Sequence, residues 1–139
     1  MRRSLGERHF LSHWTGWALA ILSEENVSKA RLAEQAEQAG LLDEARRYYR
    51  EHLASCPSDL LAAFNLAGLE EDSEAQRIYE AILKLSPDDG PTLNNLADLL
   101  IRIGQDRDRA ADLLAHAIEA DPANADLYRK TLAEASAGR

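Results

Sequence analysis

The sequence predicts an all-α protein assembled from repeated helix–turn–helix units. Three observations predict it. Segments ending ASCP, KLSP and EADP close at Pro57, Pro87 and Pro122, and before each stand an alanine (Ala45, Ala75, Ala110) and a large residue (Tyr49, Tyr79, Leu114) at fixed distances. Alanine and leucine dominate the apolar set and aromatics make up only 6% of the 139 residues, a composition of closely packed helices rather than strands. Only four prolines and seven glycines interrupt the chain.

Taken in order, the elements begin with MRRSLGERHFLSHWTGWALAIL, whose basic start resembles a signal peptide. His9, Ser12, His13 and Thr15 break its apolar run and no small-x-small cleavage site follows, so it reads as an ordinary helix over residues 5–23. No segment reaches the roughly 18 apolar residues that a spanning helix needs, which predicts no membrane insertion. SKARLAEQAEQAG places Leu32, Ala33 and Ala36 on one helical face and stops at Gly40, where a glycine accepts a positive φ cheaply. Its partner is DEARRYYREHLASCP. LLAAFNLAGLEED, with Phe64, Leu66 and Ala67, precedes SEAQRIYEAILKLSP. TLNNLADLLIRIG, with Leu93, Leu96, Ala97 and Leu100, stops at Gly104 and precedes DRAADLLAHAIEADP. A last helix over residues 124–136 has no such partner, and Tyr128 and Leu132 stand where they can cover the preceding pair.

Leu93, Leu96, Ala97, Ala110, Ala117 and Pro122, and earlier Leu32, Ala33, Gly40, Ala45, Tyr49 and Pro57, resemble the pattern of the tetratricopeptide repeat family, whose unit is about 34 residues long. Lys29 and His52 depart from it. So does the middle unit, which has 30 residues between Pro57 and Pro87 and has lost about one helical turn near GLEEDSEA, while the next unit carries one extra residue in GQDRDRA. The resemblance implies a right-handed α-solenoid in a single domain over residues 1–139. It would comprise about three repeats (24–57, 58–87 and 88–122) between an N-terminal capping helix at 5–23 and a C-terminal one at 124–136.

Charge and motifs exclude several functions. A formal net charge of −8, from 24 acidic and 16 basic side chains, lacks the basic stripe that nucleic acid requires. The single cysteine, Cys56, precludes an intramolecular disulfide framework and an all-cysteine metal site, and points to a reducing, cytoplasmic setting. There is no glycine-rich phosphate loop, nucleophile elbow, CxxC pair or HExxH. His9 and His13 lack a third ligand, His52 and His116 read as packing residues, and Cys56 lies at a helix C-terminus, where the dipole disfavours a thiolate. These readings predict no enzyme, no cofactor and no metal.

What remains is a surface. The resemblance implies a concave groove lined by the first helix of each unit, for a protein or peptide partner. By family position it presents Ala30, Arg31, Glu34 and Glu37, then Phe64, Asn65 and Gly68, then Asn94, Asn95, Asp98, Ile101 and Arg102, and finally Arg129 and Lys130. Asn65 and Asn95 share one repeat position. Their amides both donate and accept, and so suit either a peptide backbone or helix-to-helix bonds. Arg102, Arg129 and Lys130 partly match the family's carboxylate clamp, but Ala30 and Glu34 stand where that clamp wants lysine and asparagine. The alternative is a self-associating scaffold, with Phe10, Trp14, Trp17 and Ile21 of the first helix forming a homodimer contact.

Overall fold

A computed structural model describes residues 28–137, and every regular element among them is helical. The expected helix over 5–23, with Phe10, Trp14, Trp17 and Ile21, lies outside the described residues. The chain divides into two compact units, Met1–Asp59 and Leu60–Arg139.

In the first unit α1 (28–38) turns into α2 (Leu42–Ser55). Gly40 adopts φ +78°, its N–H donates to the Glu37 carbonyl at 3.0 Å, and the Leu41 N–H reaches back to the Ala36 carbonyl at 2.8 Å. This left-handed termination satisfies two carbonyls that the helix end would otherwise orphan. Ala33, Ala36, Ala45, Tyr49 and His52 are buried, and the Tyr49 hydroxyl donates to Glu37 Oε2 on α1 at 2.9 Å.

The second unit contains α3 (Leu60–Ala67), α4 (Asp72–Leu85), α5 (Gly90–Arg102), α6 (Arg107–Ala120), a 3₁₀ turn (Pro122–Asn124) and α7 (Ala125–Ala137). Helix α3 packs against α4, α4 against α5, α5 most extensively against α6, and α7 against α6. The core is the apolar stripe the periodicity predicts: Leu93, Leu96, Leu99 and Leu100 of α5 and Leu114 of α6 are at most 2% exposed. Burying each such leucine is worth about 1.5–3 kcal/mol. Between these helices Ala67, Ala97, Ala110 and Ala117 let the backbones approach.

The repeat is visible in the local geometry. Helices α2, α4 and α6 all span 14 residues. Each ends one residue before its C-cap, at Cys56, Ser86 or Asp121, with the cap at φ between −129° and −139° and its N–H bonded four residues back. The next turn repeats the same bond, Asp59 to Cys56, Asp89 to Ser86 and Asn124 to Asp121, at 3.1–3.3 Å. Proline follows each cap because it needs no donor there and cannot continue the helix.

Two departures stand out. The helix of LLAAFNLAGLEED, whose unit was expected to have lost about one helical turn near GLEEDSEA, stops at Ala67. Leu69 donates to Leu66 and Glu70 to Ala67 in tight i+3 bonds, and Gly68 is not left-handed. Helix α3 therefore has eight residues where α5 has 13. The extra residue expected in GQDRDRA sits between Gly104 (φ +73°) and α6, where Asp106 takes φ +40° and caps the helix by accepting from the Arg109 N–H at 3.1 Å. Aspartate tolerates this region better than most side chains.

Candidate functional site

Where α3 stops short, a cleft of about 200 Å³ opens in the second unit. Ala67, Gly68 and Glu70 come from the end of α3 and its turn, Asp72, Ala75 and Tyr79 from α4, and Asn95, Asp98, Leu99 and Arg102 from α5. Asn95, Asp98 and Arg102 recur at i, i+3 and i+4 spacings, so one face of α5 carries all three.

Tyr79 forms the floor. It is 5% exposed, its ring lies 6.0 Å from that of Phe64 at an interplanar angle of 59°, and its hydroxyl accepts from Asn95 Nδ2 at 3.4 Å. Burial raises the pKa of the hydroxyl, the Asn95 hydrogen bond and the Arg102 charge oppose that rise, and the Asp98 charge adds to it. Tyr79 is thus a protonated donor at neutral pH. Across the cleft Arg102 Nη1 donates to Asp72 Oδ1 at 2.9 Å, an exposed pair joining the end of α5 to the start of α4.

The remaining expected groove residues lie elsewhere. Arg31 and Glu34 line a separate hollow of about 270 Å³ in the first unit with Ala30, His52 and Asp59. Phe64 and Ile101 are half-buried and pack against the core. Asn65 is half-buried on α3, while Asn94 is 9% exposed on α5 with no hydrogen-bond partner for Oδ1. Arg129 and Lys130 are exposed on α7, and Arg129 pairs with Asp126 at 3.1 Å. Asn95 makes the helix-to-helix bond that was one of its two expected roles.

The sequence places Tyr79 in the apolar stripe of its helix and offers Glu70, Glu71 and Asp72 as a carboxylate cluster that reads as a solvated helix end, not as part of the groove. A signal for Asp72 was present: it stands as far after Pro57 as Arg102 does after Pro87, so the short unit brings a helix start to face a helix end. The two histidines read as packing are hydrogen-bonded to turn aspartates, His52 Nε2 to Asp59 Oδ2 and His116 Nε2 to Asp88 Oδ1, each at 2.7 Å. Among the described residues no group of three or more His, Cys, Asp or Glu side chains is placed to hold a metal ion, and no helix is long and apolar enough to cross a membrane.

These helix pairs, their common cap geometry and the alanine-lined contacts between them form an all-α, repeat-like arrangement. The fold is similar to that of MamA. The crystal structure of MamA protein superposes with a TM-score of 0.71 at 20% identity, covering 84% of this chain and 64% of that one. This chain therefore spans less than two thirds of MamA, and at that identity the likeness is one of fold. No protein-family model matches the sequence.

Proposed function

We propose that this chain is a non-catalytic interaction module of the tetratricopeptide type, a solenoid of about three repeats that holds a peptide or partner segment against its α5 face. The observation that carries this reading is the cleft beneath Asn95 and Arg102, where a buried hydroxyl, a carboxamide, three carboxylates and a guanidinium converge on an apolar floor. Groups that both donate and accept suit a peptide backbone. A volume near 200 Å³ is smaller than the roughly 300–1,000 Å³ of small-molecule sites, which favours part of a chain over a whole metabolite. Residues Asn94, Ile101, Phe64, Asn65, Arg129 and Lys130 would extend the contact within the second unit, and Arg31 and Glu34 would form a separate contact in the hollow of the first.

The test is selection of binders from a random displayed-peptide library, followed by amide chemical-shift mapping. Enriched peptides should shift resonances of residues 68–79 and 95–102, and Asn95→Ala should weaken them about tenfold, as loss of a hydrogen bond to a charged or amide group would. Peptides that map to other surfaces, or no enrichment at all, would remove the α5 face as the working site.

A further inference from the structure

The first helix of each helix pair carries a Leu-Ala step: Leu32 and Ala33 on α1, Leu66 and Ala67 on α3, Leu96 and Ala97 on α5. The alanine is buried in all three. The leucine is 6% exposed at Leu66 and 0% at Leu96, but 40% at Leu32. Leu41 and Leu42, where α1 turns into α2, are exposed as well. The start of the array thus leaves open an apolar position that the later repeats cover, and apolar surface left in water is unfavourable.

The chain carries an occupant of matching length directly ahead of α1. Phe10, Trp14, Trp17 and Ile21 recur at i, i+4, i+7 and i+11, the spacing of one helical face. At about 1.5 Å per residue that stripe runs about 16 Å as a helix, and α1, over 28–38, is about as long. Residues 22–27 suffice for a reversal between the two, since helix-to-helix connections take about 2–8 residues. We propose that residues 5–23 fold back on the first unit as a helix antiparallel to α1. Phe10 then lies toward Leu41 and Leu42, Ile21 toward the start of α1, and the tryptophans between them cover Leu32. The tether holds this segment at an effective concentration of about millimolar order, which a dilute second copy does not match. The inference is independent of the α5 face: it closes the start of the array and assigns both tryptophans to an internal contact instead of a homodimer.

The experiment uses the full chain, whose only two tryptophans both lie in the stripe and report on it directly. Acrylamide should quench their fluorescence several-fold less in the native protein than in urea, at every protein concentration, while sedimentation equilibrium gives the monomer mass. Leu32→Gln should raise the quenching toward the unfolded value. Leu127→Gln, the same change at an exposed leucine on α7, should leave it unaltered. Equal quenching in buffer and in urea would overturn the proposal, as would equal effects of the two variants. Protection that fades on dilution as a dimer dissociates would hand the face to a second copy and overturn it too. A cysteine pair decides the matter even where Leu32→Gln disturbs folding. In a Cys56→Ser background, Leu11→Cys with Leu42→Cys should oxidise to an intramolecular disulfide faster than Ser23→Cys with Leu42→Cys, although residue 23 is nearer in sequence. The opposite order is what an undocked tether gives, and it would sink the antiparallel contact.

Discussion

At the scale of single residues, Gly90 has less room for a side chain than Gly68 or Gly104, the other described glycines of the second unit. A Cβ there would come within 2.7 Å of Asp121 Oδ2 and 2.8 Å of Asp121 Cβ, and nearer still to the Tyr128 hydroxyl. Gly90→Ala should therefore cost about 1–3 kcal/mol by overpacking, whereas Gly68→Ala, meeting only carbonyls at 3.5 and 4.0 Å, should stay within about 0.5 kcal/mol; urea unfolding of the two variants checks this. The same cluster sets a pH window. The Tyr128 hydroxyl donates to Asp121, and that bond, followed by one from Asn124, lowers the Asp121 pKa. Burial and then the Asp121 bond and charge raise that of Tyr128. A depressed carboxyl gives stability that is present above its unfolded value and fades as pH falls through the folded one. A raised phenol gives stability that is present below its unfolded value and fades as pH rises. The contact should thus stabilise fully between about pH 4 and about pH 10. Melting temperatures of wild type and Tyr128→Phe should differ most inside that window and converge outside it.

At the scale of elements, the ends of the helices carry the testable chemistry. Asp106 combines a left-handed backbone with a cap to the Arg109 N–H. Asp106→Ala keeps the strain and loses the cap, for about 1 kcal/mol or more, while Asp106→Gly loses the cap but relaxes the backbone and should cost only a few tenths; thermal melts should rank them in that order. How much of this was legible depended on periodicity. The helices α2, α4 and α6 were readable to within a residue or two because proline, alanine and tyrosine or leucine recur at fixed offsets, and Gly40 and Gly104 announced the two left-handed ends. The stop of α3 at Ala67 was not legible, since Leu69 and Glu70 suit a helix as well as a turn and only the lost length hinted at an early end. The cleft was half legible: Asn95, Asp98 and Arg102 fell out of repeat position, whereas Asp72 and Glu70 reach it through a change of length that no position-by-position pattern contains.

At the scale of the molecule, an excess of eight negative charges opposes compaction, and the exposed ion pairs, such as Arg102 with Asp72 and Arg129 with Asp126, contribute little against it. Raising salt from about 0.01 to about 0.15 M shortens the Debye length from about 30 to about 8 Å, so the melting temperature should rise by a few degrees. A fall would mean that the ion pairs outweigh the repulsion. The short α3 has a broader consequence. Asp98 through Arg102 lie on a stretch of α5 whose counterpart in the preceding unit is turn and helix start, so the cleft is made by subtraction. Exchanging a side chain alters what is displayed at a fixed point, but removing one turn of backbone creates a new place for display and delivers the opposite strand of the corner to its rim. In an array of near-identical parts, a deletion can be the most economical way for one unit to become individual.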